Sequence, residues 1–172
     1  MKKMFYTLLA VTIVFSACKK EEGCTDALAT NFNADAEEND NSCTYSIIGV
    51  WTPNTISVNS TQTVTVAGQI IQSFDTAYTM TAEEAEIEGN IEFTSDGEVI
   101  TTNDDGEIET DNYTTSGSSL TITNSNDGSP DNATYTVTKT NLTFTMSETE
   151  TETDMGTTFT SYYDMTINCT RQ

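Results

Sequence analysis

The sequence predicts an all-β protein whose main body, residues 46–172, is an antiparallel up-and-down barrel of eight to ten strands. Threonine is the commonest residue and helix formers are sparse, a composition typical of strands. From Ser46 onward, apolar residues alternate with polar ones, which is the period of a half-buried strand. The connections are mostly short Asp-Gly or Gly-Ser turns, and no strand–helix–strand unit interrupts them.

The chain begins with a segment typical of a signal peptide, residues 1–17. Its apolar run, residues 5–15, follows a basic start and is shorter than the ~20 residues that span a bilayer. Ser16 and Ala17 then precede Cys18, and this arrangement resembles the lipobox of bacterial lipoproteins. The resemblance implies cleavage before Cys18, a diacylglycerol thioether on its sulfur, and an acylated amine, with palmitate among the chains. The alternatives are an uncleaved helix, or an ordinary secretory signal with a chance cysteine.

Residues 18–45 form a predicted acidic linker that ends in a small cysteine-flanked module. Residues 19–23, two lysines followed by two glutamates and a glycine, resemble a surface-export signal of Gram-negative lipoproteins. The resemblance implies a lipid anchor in the outer membrane and display on the cell surface. A charged tether on a periplasm-facing lipoprotein is the alternative.

The module between Cys24 and Cys43 resembles a short Asn/Asp-rich element of secreted proteins from the same bacteria. That element usually ends in Asp-Asp-Gly-Ser-Cys, and the glycine is absent here. An exported protein folds in an oxidising compartment, so we expect Cys24 and Cys43 to form a disulfide. Closing a loop of this length is worth about 3 kcal/mol in the chain-entropy model.

The module also raises the question of calcium. Its oxygen-bearing residues alternate as in a calcium loop, but Ala36 and Ser42 replace the glycine and bidentate glutamate of an EF-hand. A weaker calcium site is one hypothesis, and Asx turns, in which these side chains bond their own backbone, are the other. The candidate ligands are Asp26, Asn33, Asp35 and Asp40.

Charge and composition exclude several function classes. The net charge is −21, and removal of the leader with Lys2 and Lys3 would make it −23. Such a surface repels nucleic acids and anionic lipid headgroups. The chain has no histidine, which removes the commonest general base and metal ligand, and its carboxylates lie on strand faces and turns without a partner pattern. We therefore expect no enzymatic activity and no nucleic-acid partner.

Alternating apolar residues place the strands of the barrel in order. The first strand opens near Trp51 and is expected to stop at Pro53, and Thr81 and Glu84 have the spacing of a capping box. Later strand positions are Ile56, Val58, Val64, Val66, Tyr78, Met80, Ile91, Phe93, Val99, Ile108, Tyr113, Leu120, Ile122, Tyr135, Val137, Leu142, Phe144, Met146, Phe159, Tyr163, Met165 and Ile167.

Three short motifs in this body resemble the lipocalin-like domain of bacterial lipoproteins. They are Gly49-Val50-Trp51, which looks like the lipocalin Gly-x-Trp signature, residues 93–97, and residues 113–122. The resemblance covers most of 46–172 and implies that the tryptophan plugs one end of the barrel with an arginine across it. The only arginine, Arg171, follows the last strand, so we expect it to cover Trp51 in a cation–π contact. Unlike classical lipocalins, the chain has a shorter body and no clear C-terminal helix.

A small barrel of this kind predicts a module that binds an apolar or amphipathic ligand. The alternative function is a structural or adhesive surface lipoprotein with a calcium-stabilised module and possible surface-protein partners. Aromatic and methionine side chains on the inward face are the candidate pocket, although the same residues would fill a solid core. They are Trp51, Phe93, Tyr113, Phe144, Tyr163 and Met165.

Two further residues have testable chemistry. Cys169 falls on the inward face, and we expect a buried thiol that behaves as a small hydrophobe. Asp75-Thr76-Ala77 matches a short acceptor pattern of periplasmic O-glycosylation, which makes Thr76 a candidate glycosylation site.

Overall fold

A computed structural model describes residues 20–85, 87, 89–103 and 105–172, which fall into two compact units divided between Tyr45 and Ser46. Every regular element in these residues is a β-strand, so the predicted all-β class is confirmed. The described residues contain no helix that is long and apolar enough to cross a membrane. The predicted signal peptide and lipidation site, residues 1–17 and Cys18, lie outside the described residues.

The unit that ends at Tyr45 is held by the predicted disulfide between Cys24 and Cys43, which is confirmed. Strand β1 (Glu22–Gly23) pairs in parallel with β2 (Glu38–Asn39). Its loop is closed by two backbone bonds of 2.8 Å, from the Thr30 amide to the Thr44 carbonyl and from the Asn33 amide to the Cys24 carbonyl. Only two of its described apolar side chains, those of Cys24 and Ala29, are buried, so the crosslink replaces a core.

The unit that begins at Ser46 is a single antiparallel sheet of nine strands. They are β3 (Gly49–Val66), β4 (Gln69–Thr81), β5 (Asn90–Phe93), β6 (Glu98–Thr102), β7 (Ile108–Ser116), β8 (Ser119–Thr123), β9 (Pro130–Val137), β10 (Asn141–Asp154) and β11 (Thr157–Arg171). Strands β5 to β11 pair in sequence order, and β3 pairs with both β5 and β11. Eight strands therefore close into a barrel, as predicted, and β4 is an additional strand on β3.

The expectation that the first strand stops at Pro53 is wrong, because β3 continues through Pro53 to Val66. Along one edge, β3 pairs with β5 up to Trp51 and with β4 from Thr55 onward, so the proline lies in a gap between two partners. Along the other edge, the register with β11 shifts at this point and leaves Asn54 as an extra residue. A bulge of this kind is where a sheet tolerates a proline.

The long strands continue beyond the barrel as a four-stranded sheet. Pairing of β9 with β10 ends at Met146, and pairing of β5 with β3 ends at Trp51. Beyond these points only the order β4–β3–β11–β10 remains. We call this region the open sheet; it comprises residues 69–77, 59–66, 157–164 and 147–154.

The barrel core is built from the inward positions of all eight strands. Trp51 and Leu142 are completely buried, and the Tyr113 ring packs edge-on against Phe93 with a centroid separation of 5.0 Å. The connection from β4 to β5 contributes Ala82, which is also buried. The predicted capping box begins this connection: the Thr81 amide donates to the Glu84 carboxylate at 2.8 Å, and the Glu84 amide donates to the Thr81 hydroxyl at 3.1 Å.

Reduction of the disulfide should open residues 24–43, because few apolar contacts replace the crosslink. In hydrogen exchange, we expect the Thr30 and Asn33 amides to lose protection, with a loss of local stability of about 3 kcal/mol. A Cys24→Ser/Cys43→Ser variant should exchange equally fast with and without reductant. Unchanged protection of these two amides after reduction would show that the loop is stable without its crosslink.

Candidate functional site

The six predicted pocket residues do not line one cavity. Trp51, Phe93 and Phe144 are buried in the packed core, at most 6% exposed. Tyr113 packs on Phe93, and its hydroxyl donates to the Thr94 carbonyl at 2.8 Å. The physical reason is size, since the interior of an eight-stranded barrel is just wide enough to be filled by side chains. Only Tyr163 and Met165 border an open space.

That open space is a hollow of about 390 Å³ at one end of the barrel. Val58, Met146, Met165 and Tyr163 form its apolar surface. Its polar edge consists of Asp131, Asn132 and Glu148, with Pro130 beside them. It lies where β9 begins and where the open sheet leaves the barrel, and we call it the mouth hollow. Its volume is within the range of sites that bind small molecules.

The composition of the mouth hollow follows from alternation along β10 and β11. Leu142 and Phe144 are buried, and two residues further along the same face Met146 is half-buried and lines the hollow. The next inward position is Glu148, which is exposed. Methionine is flexible and polarizable, so a surface lined by two of them can adapt to ligands of different shape. Along β10 the inward face thus changes from apolar core to methionine to carboxylate as it leaves the barrel, and along β11 it changes from Ile167 to Met165 to Tyr163.

A larger hollow of about 620 Å³ lies between β5 and the connection from β6 to β7. Its lining includes Pro53, Ile87 and Ile91, but most of its other side chains are polar. We therefore assign the candidate site to the mouth hollow.

The opposite end of the barrel is sealed by Arg171, and the predicted contact with Trp51 is present. The guanidinium carbon lies 4.2 Å from the Trp51 ring centroid. The guanidinium nitrogens donate to three backbone carbonyls, those of Ser46 at 2.8 Å, Ile48 at 2.9 Å and Lys139 at 3.1 Å. The Trp51 indole donates to the Ile47 carbonyl at 2.7 Å. This bonded plug lies at the end of the barrel opposite the mouth hollow.

Gly49 is required at this plug for a steric reason. A Cβ atom at position 49 would lie 2.6 Å from an Arg171 guanidinium nitrogen, and the backbone there has φ of +139°. Both constraints exclude larger residues without a shift of the arginine. The glycine of the Gly-x-Trp motif therefore makes room for the cation that covers the tryptophan.

Three of the four candidate calcium ligands of the N-terminal unit accept hydrogen bonds from its own backbone. Asp26 accepts from the Leu28 amide and from the Tyr45 hydroxyl, each at 3.0 Å, and Asn33 accepts from the Asp35 amide at 3.0 Å. Asp40 accepts from the Ser42 amide at 2.9 Å, and Asp35 takes part through its backbone amide. In the described part of the chain, no three Asp, Glu, Cys or His side chains converge as metal ligands would. This geometry favours the Asx-turn interpretation.

Hydrogen bonds also set the acidity of Asp40. Those from the side chain and backbone of Ser42 hold the pKa of the Asp40 carboxyl below its usual value. The carboxylate is therefore ionised at neutral pH, with one oxygen used as a turn acceptor.

The remaining candidates, Cys169 and Thr76, lie in opposite environments. Cys169 is 1% exposed, and burial raises the pKa of its thiol to about 12, so the sulfur is protonated at neutral pH. A protonated, buried thiol is a poor nucleophile, in agreement with the expected hydrophobic role. Thr76 is exposed on β4 opposite Ser60, and its glycosylation stays a prediction.

Comparison with known proteins gives no match to a protein-family model, a curated protein or a solved structure. The closed eight-stranded barrel agrees with the lipocalin-like resemblance at the level of architecture.

Replacement of Arg171 by lysine should destabilise the barrel by about 2–4 kcal/mol, because an ammonium cannot bridge three carbonyls and stack on Trp51 at once. Urea unfolding followed by the fluorescence of Trp51, the only tryptophan, measures this loss. Lys139→Met is a matched control that removes a cation but keeps the carbonyl that Arg171 binds, and it should cost clearly less. Equal losses in both variants would mean that net charge, rather than the bonded plug, matters.

Proposed function

We propose that this protein is a non-catalytic outer-membrane lipoprotein, displayed on the cell surface, whose barrel mouth binds a small amphipathic molecule. The observation that carries the proposal is the mouth hollow, where a methionine-lined apolar surface meets two carboxylates at the end of the barrel opposite the Arg171 plug. The ligand class follows from this pairing. It is a molecule with an apolar body and a cationic or hydrogen-bond-donating head.

The apolar part of the ligand would lie against Val58, Met146 and Met165. Removing apolar surface from water contributes about 25 cal/mol per Å², so a chain of several methylene groups suffices for measurable binding. Tyr163 adds an aromatic surface that tolerates many shapes. Such a lining selects for apolarity rather than for one particular structure.

The polar part of the ligand would lie at Glu148 and Asp131. The high negative charge of the whole protein concentrates cations near its surface and repels anionic amphiphiles. A fatty acid or an anionic lipid headgroup is accordingly a poor candidate. An alkylamine, or a neutral amphiphile with a donor head, fits the site better.

A binding role is also favoured over catalysis by the available side chains. The sequence contains no histidine, and Cys169 is buried and protonated. The carboxylates of Asp26 and Asp40 accept backbone amides in turns. The alternative of a calcium-stabilised adhesive module receives no specific support, since these carboxylate oxygens, which would have to bind calcium, already accept hydrogen bonds from backbone amides.

We expect the full-length mature chain to bind dodecylammonium below its micelle concentration, measured by isothermal titration calorimetry. Met165→Trp should weaken binding at least about tenfold by filling the hollow, and Glu148→Gln should weaken it about threefold to tenfold by removing the head contact. The control variant is Tyr162→Trp. Tyr162 precedes Tyr163 in β11, and its side chain points to the other face of the sheet, away from the mouth hollow.

Circular dichroism and thermal melting would verify that each of these variants folds. Equal binding of dodecanoate and dodecylammonium, or binding insensitive to Met165→Trp, would contradict the proposed site.

The lipid anchor predicts that metabolically supplied radioactive palmitate labels the chain in its bacterial host. Cys18→Ala should abolish the label and release the protein from the membrane fraction, because two or more acyl chains are needed for stable anchoring. Cys169→Ala, which removes another cysteine, should leave the label intact. Protease treatment of intact cells would then test surface display. A labelled Cys18→Ala variant would contradict lipidation at this residue.

A further inference from the structure

One face of the open sheet, together with the adjoining Tyr78 of β4, exposes a set of large apolar side chains that nothing in the described chain covers. Phe74 is 52% exposed, Tyr78 47%, Phe159 46% and Val66 38%. The register places them on one face: Phe159 lies opposite Val64 of β3, and Val64 lies opposite Gln72, two residues before Phe74. This is the same face that lines the mouth hollow, and we call it the apolar sheet face.

The same face has an acidic border on its outer strand. Glu148, Glu150 and Glu152 lie opposite Tyr163, Ser161 and Phe159, respectively, so their side chains share the apolar sheet face. They repeat every second residue, about 7 Å apart, and all three are exposed. The opposite face of these strands carries mostly hydroxyl side chains, among them Thr63, Thr151 and Thr160, with Ile70 and Tyr162 as its exposed large apolar residues.

The sequence of residues 46–172 offers the acidic border few counter-charges. In residues 46–172 the sequence contains only two cations, Lys139 and Arg171. Arg171 is bonded at the sealed end of the barrel, where its guanidinium donates to the backbone carbonyls of Lys139 and Ile48. The three glutamates therefore repel one another and leave their charge to be matched from outside.

We propose that the apolar sheet face is a docking surface for a cationic amphipathic segment of another protein. Its apolar side chains would pack on Phe74, Tyr78 and Phe159, and its lysines or arginines would pair with the glutamates of β10. Four strands about 4.8 Å apart span about 14 Å, which some ten residues of helix cover. A second copy of this chain would bring an equally acidic border to the same place, and an anionic membrane would be repelled.

The test uses the full mature chain and a synthetic 14-residue amphipathic lysine/leucine peptide as the probe. Phe74→Ser/Phe159→Ser should weaken binding at least tenfold, and Glu150→Gln/Glu152→Gln should weaken it about tenfold and reduce its salt dependence. A matched control, Glu92→Gln/Glu98→Gln, removes two exposed carboxylates from the outside of the barrel wall and should change affinity less than twofold. Met165→Trp should also change it less than twofold, which separates this surface from the mouth hollow.

Three results would overturn the proposal. If Glu150→Gln/Glu152→Gln and Glu92→Gln/Glu98→Gln weakened binding equally, the peptide would be responding to net charge rather than to this surface. Equal affinity for a glutamate/leucine peptide would remove the charge complementarity. A dimer in analytical ultracentrifugation that Phe74→Ser/Phe159→Ser dissociates would assign the face to a second copy. Thermal melting of each variant confirms that the affinities refer to folded protein.

Discussion

The antiparallel ladder between β3 and β11 is the interaction on which the rest of the barrel depends. It runs from Thr157 opposite Val66 to Arg171 opposite Trp51 and joins segments about a hundred residues apart. The same ladder closes the barrel, brings Arg171 to Trp51, and continues outward as the centre of the open sheet. Contacts this distant in sequence pay a loop-closure cost before they stabilise anything, so we expect closure to be late in folding.

The two ends of the barrel differ in charge for reasons of chemistry. A guanidinium with three carbonyl acceptors and an aromatic ring is satisfied at the sealed end, which therefore needs no ligand. At the other end, carboxylates border methionine and aromatic surface, and the described residues that line the hollow include no cation. The proposed ligand site and the proposed docking surface both follow from this asymmetry.

Alternation along the strands predicted the inward face correctly but could not divide it into core and site. Phe144, Met146 and Glu148 occupy successive inward positions of β10, and they differ only in how many strands surround them. That number depends on where β9 ends its pairing, at Ala133 opposite Met146. The sequence prediction therefore missed four residues that line the mouth hollow, namely Val58, Met146, Glu148 and Asp131. It also assigned three residues to a pocket although they fill the core, namely Trp51, Phe93 and Phe144. Pro53 was misread for a similar reason, because its place in a gap between partners is a property of the assembled sheet.

Local sequence determined the elements that depend on neighbouring residues alone: the strand class through period-two alternation, and the capping box at Thr81. The Cys24–Cys43 crosslink and the partnership of Trp51 with Arg171 were indicated by short motifs resembling known families. Only the tertiary structure decided which strand edges remain unpaired and where the inward face meets solvent. The reason is physical: a side chain's chemistry is set by its type, but its burial and its partners are set by strands that are distant in the chain.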